Sequence, residues 1–260
     1  TKEPFNRINL SLLSQQKHIS EIIKIHASQG GLSVIIGEPG VGKSVLREHI
    51  EKWHDERKTT VVSLSRTMHT YLNIIKQLAD AFLIDVPSKT MEEALIKAAF
   101  DHVRQHKTLY IIIDEAHLLH MEVLRKLRLL FERFPKKHNL VLLGQPDLLH
   151  YLSLNVNQDI KSRITFSQVI KPLNDDDLEQ YIIKELSAAK MGINTFDSGA
   201  IEVILRAANG NLRLCRNLCY ASLIEACRET QKIVTITHVN QVLVQPHWRS
   251  HDELIKAQVK

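Results

Sequence analysis

The sequence predicts an α/β fold in which a five-stranded parallel sheet with helices on both faces precedes a smaller, all-helical domain. Apolar runs typical of buried strands alternate with helical periodicity through the first two thirds of the chain, as expected for a parallel sheet. A glycine-rich turn joins the first apolar run to an amphipathic segment. After Pro172 only helical periodicity remains, so we expect one domain at residues 1–173 and a second at 174–260.

The elements follow from these patterns in chain order. The five strands are predicted at residues 32–36, 60–64, 109–113, 140–143 and 164–170. The helices of the first domain are predicted at residues 45–53, 71–82, 91–106 and 121–134. In the second domain, Asn174 is a suitable N-cap for a helix that ends near residue 190. Further helices are predicted at residues 198–208, 212–229 and 238–243.

The turn after the first strand has the residue pattern of a phosphate-binding loop, G-x-x-x-x-G-K-S. Its glycines allow backbone N–H groups to point at a triphosphate, and the helix that begins there presents the positive end of its dipole. Lys43 would place its charge on the β- and γ-phosphates, and Ser44 would offer its hydroxyl to Mg²⁺. The alternative is a glycine-rich turn that binds nothing. We therefore predict ATP and Mg²⁺ as cofactors, with the nucleotide bound by Gly37, Glu38, Pro39, Gly40, Val41, Gly42, Lys43, Ser44 and Val45.

An acidic pair follows the third predicted strand. The run at residues 109–113 is apolar throughout, as in a strand buried on both faces, and it ends in Asp114 and Glu115. Asp114 would hold Mg²⁺ through its water shell, and Glu115 would polarise the water that attacks the nucleotide. An acidic pair at an ordinary strand end is the alternative. Together with the phosphate-binding loop, the pair indicates a nucleotide hydrolase.

The composition is that of a soluble globular protein, with 44% hydrophobic and 24% charged residues. No apolar stretch approaches the roughly 20 residues that cross a bilayer, and no signal-peptide pattern opens the chain, so we expect a cytoplasmic protein without a membrane partner. Cys215, Cys219 and Cys227 are expected to be small buried residues in a reducing compartment. His117 and His120 are expected to have surface or interface roles, because they lack a nearby further zinc ligand.

Positive charge is concentrated in one segment. Between residues 125 and 138, six Lys and Arg residues face Glu132 alone, which gives a local charge of +5 within a chain whose net charge is also +5. This segment is either the solvated face of a helix or a surface for nucleic acid, and the sequence leaves both interpretations open. Its basic residues are Arg125, Lys126, Arg128, Arg133, Lys136 and Lys137.

Later motifs resemble those of the AAA+ ATPases. A fourth strand that ends in Gln145, an arginine just before the fifth strand and the Gly210-Asn211-Leu212-Arg213 segment occur in the family's order. The resemblance implies that Gln145 contacts the γ-phosphate or the lytic water, and that Arg213 of the helical lid touches the phosphates. It also implies that Arg163 is an arginine finger, with Lys161 as the second candidate. The alternatives are a helix cap for Gln145, a surface ion pair for Arg163 and a packing role for Arg213.

Within the AAA+ ATPases, four segments resemble a bacterial group that includes the secretion-pathway ATPase ExeA and transposition regulators of the TnsC, TniB and MuB type. The regulators imply ATP-dependent homo-oligomers, as rings or helical filaments on DNA, which recruit a transposase. ExeA implies a membrane-anchored machine that assembles a secretion pore. A helicase loader, a DEAH-type RNA helicase and a scaffold without hydrolysis are further alternatives. The segments are residues 3–6, 114–117, 144–148 and 213–219.

We expect contacts to the DNA backbone that do not depend on base sequence, because no reading helix or interleaved aromatic residues are visible. The loop after the second strand is the first candidate, since loops at the carboxyl ends of parallel strands face ligands. Its side chains suited to phosphate contact are Arg66, Thr67 and His69, and the second candidates are Lys126, Lys136 and Lys137.

Overall fold

The computed structural model describes residues 4–5, 14–27, 29–55, 57–64, 70–245 and 248, and it divides the chain into two compact units. The first unit comprises residues 12–171, and the second comprises residues 172–260 together with residues 1–11. Our sequence-based division placed the amino-terminal residues in the α/β domain, and for Phe5 this is wrong.

Phe5 belongs to the second unit because its ring and backbone are both bound there. Its buried ring packs against Tyr181 and Phe196, with centroid distances of 6.3 Å in each case. Its backbone N–H donates to Glu185 Oε2 at 3.1 Å. Burial raises the pKa of the Glu185 carboxyl, and this hydrogen bond opposes the shift. The apolar signal of one isolated phenylalanine could not reveal a partner 180 residues away.

The first unit contains the predicted parallel sheet, so the predicted α/β fold is confirmed. The strands are β1 (Gly31–Gly37), β2 (Thr59–Leu64), β3 (Thr108–Ile113), β4 (His138–Gly144) and β5 (Ile164–Ile170). Their order in the sheet is β2-β3-β4-β1-β5, and every neighbouring pair is parallel. Two strands, β3 and β4, therefore lie between β1 and β2.

Helices cover both faces of this sheet because successive side chains of a strand point to opposite faces. In β3, Ile111 and Ile113 belong to one core cluster, whereas Tyr110 and Ile112 belong to another. The helices of this unit are α1 (Ser14–His26), α2 (Lys43–Glu51), α3 (Tyr71–Ala81), α4 (Met91–Arg104), α5 (Met121–Glu132), α6 (Pro146–Ser153) and α7 (Gln158–Lys161). Residues of α3, α4, α5 and α6 complete the first cluster, and residues of α1 and α2 complete the second.

Helix α1 was not predicted, and its buried stripe explains why. Polar Gln16 and Ser20 are buried alongside Ile19 and Ile23, so apolar residues alone do not show the helical period. The short helices α6 and α7 were missed as well. They span only eight and four residues, which is too few for periodicity to be visible.

The second unit is the predicted helical domain, with helices α8 (Asp175–Ala188), α9 (Ser198–Ala208), α10 (Leu212–Arg228) and α11 (Ile236–Leu243). The Asn174 side chain caps α8, as predicted, by accepting a hydrogen bond of 2.7 Å from the N–H of Asp177. Cys215 and Cys219 are buried, but Cys227 is exposed, so its predicted burial is wrong. At 3.6 residues per turn, Cys227 points about a third of a turn away from Cys215.

Two negative observations apply to the described ranges. No helix there is long and apolar enough to cross a membrane. In the same ranges, no group of three or more His, Cys, Asp or Glu side chains could hold a metal ion.

Candidate nucleotide-binding site

The predicted phosphate-binding loop connects β1 to α2, and two of its residues have a backbone conformation that requires glycine. Gly40 and Gly42 have φ angles of 90° and 106°, which side chains rarely tolerate. A Cβ on Gly42 would also lie 2.6 Å from Gln16 Nε2. The path of the loop therefore depends on these glycines and on the close approach of α1.

Lys43, the first residue of α2, is folded back onto the loop. Its buried Nζ donates to the carbonyl oxygens of Gly37 at 2.5 Å and Glu38 at 3.0 Å. These bonds give the buried ammonium group acceptors within its own loop. Phosphate oxygens offer stronger, charged acceptors at the same place. Ser44 is exposed beside it in the first turn of α2, and Val45 is buried in the core beneath.

Gln16 of α1 supports the loop from below, and sequence reasoning missed it. Its side chain is fully buried, and its Nε2 donates to the carbonyl oxygen of Val41 at 3.4 Å. A polar residue is tolerated at this buried position because it bonds to loop backbone that no secondary structure satisfies. Since α1 itself was not predicted, no sequence pattern pointed to this role.

Asp114 lies at the carboxyl end of β3, and both of its side-chain oxygens are engaged. Its Oδ1 accepts from the N–H of Glu115 at 2.9 Å, and its Oδ2 accepts from Arg47 Nη1 at 3.2 Å. Burial raises the pKa of the Asp114 carboxyl, while the Glu115 N–H and the Arg47 charge oppose that rise. The site thus holds a buried acid next to a compensating cation.

Arg47 is the residue that connects the two motifs. It follows Lys43 by four residues, so both side chains lie on one face of α2. Besides Asp114, it pairs with Glu51, with its Nε 3.4 Å from Oε1. Sequence reasoning missed Arg47, although its spacing from Lys43 was a usable signal. The ion pair with Asp114 brings the helix that follows the predicted phosphate-binding loop next to the acidic pair.

Glu115 has an unusual backbone conformation and a histidine partner. Its φ of 52° and ψ of 35° are left-handed, and its side chain is 44% exposed. His117 Nδ1 lies 3.4 Å from Glu115 Oε2. Of the surface or interface role expected for His117, the surface alternative does not fit, because its side chain is only 9% exposed and its 3-10 turn, Ala116–Leu118, packs against β4 and α6. The interface alternative stays a prediction. His120 is exposed, as expected.

Gln145 follows β4, the strand that separates β1 from β3. It is the N-cap residue of α6, but its side chain makes no capping hydrogen bond. Because the strands are parallel, Gln145 lies at the same edge of the sheet as Gly37 and Asp114. Its proposed contact with the γ-phosphate or the lytic water stays a prediction.

Arg163 lies at the opposite ends of the strands, just before the amino end of β5. Leu32 pairs with Ile164, and Gly37 pairs with Ile170, so Arg163 precedes the level of Leu32. At about 3.3 Å per residue, this is about 20 Å from the level of Gly37, farther than an arginine side chain extends. The Arg163 side chain is 60% exposed, and its Nη2 lies 3.1 Å from Glu132 Oε1. Its side chain therefore cannot reach the predicted phosphate-binding loop of its own chain.

Arg213 belongs to the second unit, where it lies in the first turn of α10 with an exposed side chain. Its N–H donates to Asn211 Oδ1 at 3.0 Å, so Asn211 caps the helix. The contact of Arg213 with nucleotide phosphates, which the family resemblance implies, stays a prediction.

Acidic side chains from other elements compensate part of the positive charge of the basic segment at residues 125–138. Arg125 and Arg128 approach Asp159 within 3.9 and 3.6 Å, and Arg133 pairs with Glu93 at 2.6 Å. The remaining cations of the segment are Lys126, whose Nζ lies 5.9 Å from the ring centroid of Tyr71, and the exposed Lys136 and Lys137. The DNA contacts predicted for Arg66, Thr67 and His69 lie outside the described residues.

Comparison with known proteins agrees with this site. Residues 25–152 match the family model of an AAA domain, and this range holds the phosphate-binding loop, the acidic pair and Gln145. General secretion pathway protein A of Aeromonas hydrophila is 29% identical over 218 residues, which cover 79% of this chain and 39% of that protein. The chain therefore spans about two fifths of the length of that relative.

Solved structures share the fold over nearly the whole chain. The ORC2 protein of Aeropyrum pernix, in ADPNP–ADP complexes, has a TM-score of 0.71 and 14% identity over 93% of this chain and 71% of its own. CDC6P of Pyrobaculum aerophilum has a TM-score of 0.72 and 16% identity over 96% and 73%. Drosophila ORC bound to DNA has a TM-score of 0.68 and 19% identity over 95% and 65%.

The geometry of the loop predicts the effect of removing its lysine. Lys43→Ala should weaken ATP binding by about a hundredfold, because it removes charge-assisted bonds to the phosphates. Fluorescence titration with a labelled ATP analogue measures this. Lys52→Ala, at the exposed carboxyl end of the same helix, is the control and should bind as the wild type does. Equal affinity of Lys43→Ala and wild type would contradict the assignment of the loop.

Proposed function

We propose that this chain, which is similar to AAA+ proteins in its matched domain and its fold, binds ATP at residues 37–45 and hydrolyses it to ADP and phosphate. The observation that carries the proposal is the 3.2 Å contact between Arg47 Nη1 and Asp114 Oδ2. It brings the helix that follows the phosphate-binding loop to the carboxylates at the end of β3. A loop that bound nucleotide without hydrolysis would not need this acidic pair beside it.

Mg²⁺ fits the oxygen groups that the site offers. Ser44 presents a hydroxyl at the start of α2, and Asp114 presents a buried carboxylate whose charge only partly balances that of Arg47 and Lys43. Both Asp114 oxygens already accept hydrogen bonds, which favours ligation through water rather than direct contact. When bound, Mg²⁺ would neutralise charge on the β- and γ-phosphates.

The remaining groups have distinct tasks in this proposal. Lys43 leaves the carbonyl oxygens of its loop and binds the phosphates. Glu115 accepts a proton from the attacking water, since its carboxylate directly follows Asp114, the residue that would hold Mg²⁺. Gln145 orients that water or the γ-phosphate from the end of β4.

Catalysis in this proposal needs a second copy of the chain. Arg163 lies about 20 Å along the sheet from its own loop, so only the nucleotide of a neighbour is within its reach. A guanidinium supplied in this way stabilises the charge that develops on the transferred phosphoryl group. We therefore propose a homo-oligomer, a ring or a filament, whose active sites form between protomers.

Two biological roles suit such an oligomer. The similarity to General secretion pathway protein A favours a secretion-pathway ATPase, although the chain covers only 39% of that protein. The second candidate is a transposition regulator that binds DNA and recruits a transposase. The fold shared with Drosophila ORC bound to DNA and the exposed Lys136 and Lys137 favour this candidate. DNA binding is the property that separates the two.

Glu115→Gln should bind ATP as tightly as the wild type but hydrolyse it about 10²–10⁴-fold more slowly, because the amide cannot accept the water's proton. Phosphate release and nucleotide titration measure the two properties on the same preparation. Glu122→Gln, an exposed acid in the first turn of α5, is the control. Turnover by Glu115→Gln at the wild-type rate would remove Glu115 from this role, and a wild type without turnover would overturn the proposed function.

Arg163→Ala should bind ATP normally but lose on the order of 10³-fold in hydrolysis, as expected for an arginine supplied in trans. Mixed with Lys43→Ala, it should regain activity, because Lys43→Ala protomers supply Arg163 to intact loops. Arg206→Ala, an exposed arginine paired with Glu202, is the control and should hydrolyse normally. If mixing restores nothing while hetero-oligomers form, the shared site is wrong.

The DNA-binding candidate predicts affinity that requires ATP or a non-hydrolysable analogue and that falls steeply with salt. Each neutralised phosphate of a duplex contributes about −0.9 to the slope of log K against log salt. Unrelated sequences of equal length should bind alike, because phosphates carry no sequence information. Fluorescence anisotropy measures these dependences.

Charge-removing variants locate the contact in the same experiment. The double variant Lys136→Gln/Lys137→Gln should make the fall of DNA affinity with salt less steep if the turn before β4 binds DNA. Arg66→Gln should do so if the loop after β2 binds DNA. Lys232→Gln, exposed in the second unit, is the control. No ATP-stimulated binding to duplex or single-stranded DNA at low salt would overturn the transposition role and leave the secretion-type ATPase.

A further inference from the structure

His117 is a largely buried histidine beside the proposed catalytic base. Its side chain is 9% exposed, and its Nδ1 lies 3.4 Å from Glu115 Oε2. Within the described part of the chain, this buried nitrogen makes no hydrogen bond, so its approach to Glu115 is a close ionic contact. A buried imidazole nitrogen without a hydrogen bond is costly, and the carboxylate of Glu115 is the group placed to satisfy it.

The fold fixes His117 more firmly than it fixes Glu115. The 3-10 turn that carries His117 packs against the end of β4, where a Cβ on Gly144 would lie 3.4 Å from the His117 backbone nitrogen. The Glu115 side chain, in contrast, is 44% exposed. Its left-handed backbone turns the chain sharply after Asp114, which brings position 117 back beside the carboxylate.

We propose that His117 is a positioning residue for Glu115, an inference that rests on the proposed ATP hydrolysis. The Nδ1–H group donates to Glu115 Oε2 and restricts the rotation of the carboxylate, so that Oε1 is left to accept the proton of the attacking water. The distance of 3.4 Å is long for a hydrogen bond. Such contacts are often long without substrate and shorten when it binds.

The proton and bond changes at this site balance without any further reactant. The water oxygen bonds to the γ-phosphorus, the bond from that phosphorus to the β–γ bridging oxygen breaks, and the water proton passes to Glu115 Oε1. ADP and phosphate leave, and Glu115 then releases its proton to solvent through its exposed side. His117 keeps its proton throughout and touches only Glu115.

The competing explanation is that His117 only fills space between Glu115, β4 and α6. The two roles differ in what they demand of the side chain. A positioning role needs a donor near the place of Nδ1, which asparagine supplies and leucine does not. A space-filling role needs volume and low polarity, which leucine supplies better than asparagine.

The experiment compares His117→Leu and His117→Asn, each alone and in the Glu115→Gln background, with His120→Leu as the exposed control. We expect His117→Leu to lower kcat about tenfold or more, while the ATP dissociation constant and the melting temperature stay as in the wild type. His117→Asn should keep most of the rate. In the Glu115→Gln background, His117→Leu should cause no further loss, because residues that act as one unit are not additive.

Three results would overturn the inference while leaving ATP hydrolysis in place. The first is wild-type kcat in His117→Leu. The second is an equal loss in His117→Asn and His117→Leu. The third is the same fold-loss from His117→Leu with and without the Glu115→Gln change. A wild-type chain that does not hydrolyse ATP would instead overturn the proposed function, and the inference with it.

Discussion

The parallel arrangement of all five strands is the constraint on which the site depends. Parallel strands bring their carboxyl ends to one edge, so Gly37, Asp114 and Gln145 are gathered there although they are far apart in the chain. The same geometry places the amino end of β5, with Arg163, at the other edge. One sheet thus brings together most residues of the proposed catalytic site and places Arg163 at the opposite ends of the strands.

This arrangement buries charged side chains, and one ion pair together with hydrogen bonds to backbone carbonyl oxygens compensates their burial. Asp114 and Lys43 are both buried, and an unpaired charge at either place would be strongly destabilising. Arg47 balances Asp114, while the carbonyl oxygens of Gly37 and Glu38 satisfy Lys43. The core formed by residues 109–113 of β3 and 140–143 of β4 is apolar, so these few contacts determine where the polar side chains at the strand ends can lie. In the proposed function, phosphates would replace the carbonyl oxygens as partners of Lys43.

The sequence predicted those features that depend on local patterns. The continuous apolar run of β3 and the spacing of glycines in the loop specify a buried strand and a phosphate turn without reference to distant residues. Helix α1 could not be predicted, because buried Gln16 and Ser20 interrupt its apolar stripe and are accounted for only by the loop they support or by their own backbone. The ion pair of Arg47 with Asp114 and the packing of the His117 turn against β4 and α6 depend equally on tertiary contacts. The predicted burial of Cys227 was wrong for a simpler reason, since the turn of α10 places its side chain on the side that faces solvent.

The central claim is that the catalytic site is complete only between two copies of the chain. The most direct test measures ATP turnover per protomer across a wide range of protein concentration, with the oligomeric state determined by light scattering on the same samples. The account predicts that turnover per protomer rises in step with the oligomeric fraction and is nearly absent in the monomer. Full and constant turnover in a protein that remains monomeric throughout would contradict it.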